Sequence, residues 1–424
     1  MSLETVSNAL PRQNKQTQLR SAILSSFTRS ASSNVAGLKG FSHRDWIRVK
    51  PWLDSSGLSL YFLDHLTTLG IRECIPETLR EELHENLSGN RERVAWFHQE
   101  SAAISQSLDS LGVPLAFLKG ITLPEVCAIR RELRDQADID ILIRGQDADR
   151  VKVALEGLGY RLDAVSGSTW EFRAGRIEKF SLKKKYDIPT ERAVEVHLQS
   201  SGNGSLGPDR LSRTELRHIQ DVKIQSLCSA DIFVQQGQHI FKHLCGEFTR
   251  AAWILEFWRH ACARRDDIVF WRNVERTANA EDGAPIAIGA ASMLAALVFG
   301  EFAPESLANW SIDRLPDSIR MWIQLYGPRA LFADPPGSKF YLLLRRELPS
   351  YAQRDKVEHR RLLFPFHAPR RLLVAQQNES LAERLRRYKI ESQYWAFRLR
   401  FHITEGMRLA VATPQWERIA GITR

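Results

Sequence analysis

The sequence predicts an α+β fold in which a small mixed-sheet module is held between two helical regions. Three observations lead there. Apolar residues recur at helical spacing from Asp45 to about Gly112. Short β-branched runs then alternate with charged residues, most clearly in Asp138-Ile139-Asp140-Ile141-Leu142-Ile143. From Leu211 to about Arg346 the spacing is helical again. The expected organisation is a flexible tail over 1–40, a helical region over 41–112, the α/β core over 113–205, a helical domain over 206–350 and a basic C-terminal segment over 351–424.

The tail is polar and rich in Ser, Asn and Gln, with one apolar cluster at Ala22, Ile23, Leu24 and Phe27. In the first helical region Leu58, Tyr61, Phe62 and His65 share a face, and Leu79, Leu83 and Leu87 repeat every four residues. Leu115-Ala116-Phe117-Leu118 is a strand-length apolar run ended by Lys119-Gly120, and Pro124 suits the first turn of a helix. Ile139, Ile141 and Ile143 mark a strand buried on at least one face. Asp147 is placed to cap a helix that runs to Gly157. Further strand signals follow at 169–173, 177–182 and 193–198. Beyond residue 211 the clearest helices are Asp231–Cys245, Arg250–Arg264 and Pro285–Gly300. The last is a 16-residue Ala- and Gly-rich run flanked by Asp282 and Glu301. It is shorter than the ~20 residues a spanning helix needs, so it reads as a buried core helix, and no membrane span is expected.

Composition narrows the function classes. A 43% hydrophobic content is enough for a large core and excludes global disorder. The five cysteines (Cys74, Cys127, Cys228, Cys245 and Cys262) are scattered and form no C-x-x-C pair, which fits a reducing compartment. With no apolar export segment in the first 30 residues, a cytoplasmic location is expected. The net charge of +9 is concentrated at one end: Arg354–Arg424 holds 15 Lys/Arg against 7 Asp/Glu. Any contact with a polyanion is therefore expected at the basic C-terminus.

The chemistry points to Asp138 and Asp140. Residues i and i+2 of a strand point to the same side, so the two carboxylates are expected side by side. They would repel unless a cation lies between them, and Mg²⁺ prefers such hard oxygen ligands. Upstream, Gly120 sits at a strand-to-helix turn, where a glycine lets backbone approach a ligand and free N–H groups suit a phosphate. Glu195, in the alternating run Ala193–His197, supplies a third carboxylate. Two Asp and one Glu on neighbouring strands could hold two metal ions that orient a nucleotide's phosphates.

These features resemble the active-site order of the DNA polymerase β-like nucleotidyltransferase superfamily. More specifically, the chain is similar to a bacterial family of uncharacterised nucleotidyltransferases. The resemblance rests on Leu118-Lys119-Gly120, on Arg134 four residues before Asp138, and on Asp138-Ile139-Asp140-Ile141-Leu142. It continues through Leu158-Gly159-Tyr160, Glu195-Val196-His197, His239-Ile240-Phe241-Lys242-His243 and Trp253-Ile254-Leu255-Glu256. It covers about 45–260.

The resemblance implies a nucleotidyltransferase core using two Mg²⁺ ions. ATP or another nucleoside triphosphate would be the substrate, and the acceptor a small molecule, a protein or an RNA. Asp138, Asp140 and Glu195 would bind metal and carry catalysis. Lys119, Gly120, Thr122, Arg134 and His197 would bind the nucleotide. The chain departs from the superfamily where Ile121 follows Gly120 in place of Ser or Gly, so that Thr122 or Lys119 would have to supply the missing phosphate contact. Asp135-Gln136-Ala137 also replaces the Pro and Gly usual before the first Asp.

Other assignments accompany these residues. Lys119 also fits a solvated turn. Arg134 also fits a salt bridge to Asp135 or Glu132, and His197 a packed imidazole. His239 and His243 share a helix face near Cys245 and fit a structural role or a lining of the nucleotide cleft, since no fourth ligand at zinc spacing is evident. Between Leu381 and Ile403, Arg384, Arg386, Arg387, Lys389, Arg398 and Arg400 interleave with Tyr388, Tyr394, Trp395, Phe397 and Phe401. This pattern fits a nucleic acid or an anionic membrane surface, or an amphipathic element packed on the body. The two alternatives to the enzyme are a nucleotide-binding module without catalysis and a nucleic-acid-binding protein acting through this basic end.

Overall fold

The computed structural model describes residues 15–28, 37–176, 182–199, 209–219, 222–348 and 380–421. The described residues form two compact units, one drawn from Met1–Phe241 and Arg250–Leu315, the other from Lys242–Thr249 and Pro316–Arg424.

The first unit opens with helices α1 (Lys15–Ser26), α2 (His43–Ser55), α3 (Ser59–Thr68) and α4 (Glu77–Ser110). Leu19, Ile23 and Leu24 of α1 are buried, so this part of the expected flexible tail is a packed helix. A short apolar cluster is enough once a neighbouring face receives it. Ser42 starts α2 with a reciprocal capping box to Asp45. In α4 the four-residue leucine repeat buries Leu79, Leu83 and Leu87, as expected.

The sheet follows. Its strands are β1 (Leu115–Leu118), β2 (Ile139–Arg144), β3 (Arg161–Ser166), β4 (Thr169–Gly175), β5 (Glu191–Gln199), β6 (Thr214–Ile219) and β7 (Val222–Leu227). The short helix α5 (Glu125–Ala128) precedes β2, and α6 (Ala148–Gly157) follows it. The seven strands lie in the order β3-β4-β5-β2-β1-β7-β6. β2 runs parallel to β5 and antiparallel to β1, and β1 runs parallel to β7. The sheet is therefore mixed, as the sequence predicts. Strands β6 and β7 lie where the periodicity reads as helical. Their Val222, Ile224 and Leu227 alternate only weakly, and what they pack against is non-local. The signal at 177–182 falls largely outside the described residues. Asp147 stands at the N-cap of α6 but makes no side-chain cap; its carboxylate takes Arg150 instead.

The two sheet faces differ. Leu115, Phe117, Ile139, Ile141, Ile143, Phe172, Val194 and Val196 form one core with Phe97, Ile104 and Leu108 of α4 and Val151 and Leu155 of α6. On the opposite face Ala116, Leu118, Leu142 and Leu227 pack with Cys127 of α5 and Ile232 of α7 (Ser229–Leu244). Because strand side chains alternate, burying Ile139 and Ile141 on one face commits Asp140 to the other.

Three helices continue the first unit: α8 (Ala251–Ala263), α9 (Ile268–Asn279) and α10 (Ala284–Phe299), with a single turn α11 (Glu305–Ala308). The Ala- and Gly-rich run is indeed a core helix: Ile288, Ala290, Ala291, Leu294 and Ala295 of α10 are fully buried. The second unit holds α12 (Asp317–Phe332), α13 (Tyr341–Arg346) and the 39-residue α14 (Leu381–Ile419). No helix among the described residues is long and apolar enough to cross a membrane.

Candidate active site

Strand pairing assembles the site. The parallel register of β2 and β5 sets Asp140 opposite Glu195 and Leu142 opposite His197. On β1, Leu118 stands opposite Asp140, which brings the Lys119 turn to the same end of the sheet. Ligand atoms of Asp140, Glu195 and His197 all lie within 4.8 Å of one another, the one such group among the described residues that could hold a metal ion.

Asp140 is 3% exposed and holds two cationic or protonatable partners. Its Oδ1 accepts from the Lys119 Nζ at 2.5 Å and lies 2.9 Å from the His197 Nε2. Lys119 also donates to the Glu195 Oε2 at 3.3 Å. The His197 Nδ1 lies 3.3 Å from the Thr169 hydroxyl on β4, which braces the ring. Lys119, Glu195 and His197 are each partly exposed, so a ligand can reach them from solvent.

Electrostatics separates the two aspartates. Burial opposes the Asp140 charge, but hydrogen bonds from His197 and Lys119 outweigh it and hold the carboxyl below its usual range. Asp138 lies just before β2 rather than in it, since the strand begins at Ile139. Burial and the neighbouring Asp140 and Glu195 charges push its pKa up to about 6. For Lys119, burial works against the ammonium, but the attraction of Asp140 wins and its pKa is raised.

The Lys119 turn is strained. Its φ of 52° lies in the left-handed region, which a side chain disfavours. Thr122 is buried, and its hydroxyl donates to the Lys119 carbonyl at 3.0 Å, closing the turn. Gly120 has a different neighbour from the one its position suggests. A Cβ there would meet the Arg134 Nη1 at 2.4 Å and the Gln136 Oε1 at 2.9 Å. The group that approaches this backbone is thus a guanidinium of the chain itself.

Arg134 is committed elsewhere. Its Nε donates to Glu256 of α8 at 3.1 Å, and the Tyr61 hydroxyl donates to the same carboxylate oxygen at 2.7 Å. Expected partners Asp135 and Glu132 do not take it in a direct salt bridge. Arg134 is still near enough to favour the charged form of Asp138. So Lys119, Asp140, Glu195 and His197 are joined by direct contacts, and Asp138 joins them through its charge. Thr122, Gly120 and Arg134 underpin the turn from below.

Several supporting residues carry no motif. Asp135 pairs with Lys185 at 2.6 Å and Arg250 at 3.0 Å. Asn90 donates to the carbonyls of Glu132 and Arg134, and Arg93 to those of Gln136 and Asp187. The segment leading into β2 is thereby pinned to α4. Their signal is only that Asn90 and Arg93 interrupt the apolar face of a long helix. Glu171 of β4 pairs in register with Glu195 and adds another acid to this face. His239 packs edge-on against Trp253, with ring centroids 4.5 Å apart.

No curated protein matches the chain. The model of a family described as uncharacterised nucleotidyltransferase matches residues 42–300. That stretch is more than half of the chain and contains the acidic cluster, the Lys119 turn and every strand of the sheet, so the chain belongs to the uncharacterised nucleotidyltransferase family.

Proposed function

We propose that the protein is a Mg²⁺-dependent nucleotidyltransferase. It moves a nucleoside monophosphate from ATP or another nucleoside triphosphate to an acceptor and releases pyrophosphate. The observation that carries this reading is the register of β2 and β5, which puts Asp140 and Glu195 side by side with His197 and the Lys119 ammonium against them.

The donor set fits the metal. Asp138, Asp140 and Glu195 offer hard oxygens, and these carboxylates already attract one cation, the Lys119 ammonium. These three residues would hold the ions, two by analogy with the superfamily. Bound there, divalent metal would neutralise triphosphate charge and favour in-line displacement.

The side chains supply the rest. His197, braced by Thr169, fixes the direction of the Asp140 carboxylate. Lys119 is a point charge for a phosphate oxygen at the mouth of the site. An acceptor hydroxyl attacks the α-phosphorus and passes its proton to Glu195, and the bond to pyrophosphate breaks. Gly120, Thr122 and Arg134 hold the turn that presents Lys119, and a small molecule, a protein or an RNA would serve as acceptor.

The test is incubation with Mg²⁺, the four triphosphates and candidate acceptors, reading pyrophosphate release and an acceptor mass shift. Full activity in Asp140→Asn would refute the assignment. A second reading, a nucleotide-binding module without catalysis, is favoured by Ile121 after Gly120 and by the Lys119 ammonium resting on the carboxylates. It requires triphosphate binding by calorimetry without pyrophosphate release.

A further inference from the structure

Helix α14 carries two unlike faces. Phe401, Glu405, Leu409, Ala412 and Trp416 are buried. At about 100° per residue they share one arc of the helix. Leu381, Leu385, Tyr388, Trp395, Leu399 and Ile403 fall in a second arc of about 80°, centred about 120° away. All six are exposed, from 42% at Trp395 to 72% at Leu381. The stripe they form is about 33 Å long. The exposed Ser392 interrupts it between Tyr388 and Trp395, and exposed apolar surface on that scale marks an interaction site.

Charge narrows the occupant. From Leu381 to Ile403 there are six Arg/Lys against two Glu. Arg384 flanks the stripe on one side, with Lys389 and Arg400 on the other, and all three are exposed. A second copy of the chain would bring like charges together. A nucleic acid would use the rings and the cations, but Leu381, Leu385, Leu399 and Ile403 offer bases nothing to stack on. An anionic bilayer uses every part. Aliphatic side chains enter the acyl boundary, Tyr388 and Trp395 suit the interface, and the basic stems reach up to the headgroups.

We infer that Leu381–Ile403 of α14 is a docking surface for an anionic lipid bilayer, on which the helix lies in the plane of the interface. The full chain is sedimented with vesicles of phosphatidylcholine alone or mixed with phosphatidylglycerol. Strong co-sedimentation with the mixed vesicles and weak co-sedimentation with the neutral ones is expected. The exposed triple variant Leu385→Gln, Trp395→Gln, Leu399→Gln should weaken binding at least about tenfold with an unchanged circular dichroism spectrum. The variant Arg384→Gln, Lys389→Gln, Arg400→Gln should lose the preference for anionic vesicles. Absence of wild-type binding, or full binding by the apolar triple variant, would overturn the inference. So would a wild-type dimer that the apolar variant turns into a monomer, or RNA binding lost in that variant while vesicle binding persists.

Discussion

Asp135 and Asp138 are three residues apart and sit in opposite electrical surroundings. Asp135 is saturated by cations: Lys185 and Arg250 bind its two oxygens, and Lys185 also donates to the Asp54 carbonyl. Burial opposes its charge, but Arg250 and Lys185 outweigh that and hold its pKa well below the carboxylate range. Asp138 faces burial and two further carboxylates, and its pKa is driven up to about 6. The first arrangement stabilises the fold. The second crowds like charges that repel one another, an arrangement that clusters at functional sites. The same segment of chain thus carries a carboxylate neutralised by cations and, three residues on, one crowded by like charge.

The largest effect that would sharpen this contrast is at the strand itself. Asp140→Asn should lower nucleotidyl transfer about a thousandfold, with a smaller stability loss of about 1 kcal/mol because the partly exposed Lys119 ammonium loses its nearest carboxylate. Equal losses of activity and stability would erase the distinction between the two sites.

Next comes Asp135→Asn. It leaves the buried Lys185 ammonium without its carboxylate, so unfolding free energy should fall by about 3 kcal/mol in urea titration. A loss below about 0.5 kcal/mol would show that the pair does not hold the segment before β2.

Asp138→Asn should act in the opposite direction. Removing a charge that the apo fold disfavours should raise stability in EDTA by about 1–2 kcal/mol, allowing for partial solvent screening. The same substitution should weaken Mn²⁺ binding measured by calorimetry.

The smallest effect is the pH profile. Asp138 has a raised folded-state pKa, so the folded chain binds its proton more tightly than the unfolded chain does. In EDTA, its contribution to stability should grow as pH falls from about 7 toward 4. Asp135 has a lowered folded-state pKa, so its contribution is complete above about pH 4 and disappears below it. Asp138→Asn should abolish the first trend and spare the second in thermal melts from about pH 7 to about pH 2.

Much of the site was legible in the residues because alternation is local. Ile139 and Ile141 announce a buried face, so Asp140 must take the other, and the Val194/Val196 pair does the same for Glu195 and His197. The Lys119-Gly120 turn was legible because it ends an apolar run. Arg134 was not. Its ion pair with Glu256 spans 122 positions, and nothing local distinguishes it from a phosphate-binding arginine. The same holds for Lys185 and Arg250 on Asp135. For β6 and β7, weak alternation hid two strands whose place at the sheet edge depends on pairing with β1. In the second unit, the basic and aromatic pattern of α14 identified an amphipathic element but not which side neighbouring residues of that unit would cover.

By itself, the sequence determined the periodicities: which segments are helical, which alternate, and hence which side chains of each strand share a face. It also set Asp138 and Asp140 one residue apart and put a third carboxylate, Glu195, in a later alternating run. Only the tertiary structure decided that β5 pairs in parallel with β2 in the register that sets Glu195 beside Asp140, and that Lys119 rather than Arg134 points at them. The reason is physical. Side-chain direction follows from backbone geometry a few residues long, whereas the partner of a charge depends on which distant surfaces the hydrophobic core brings together.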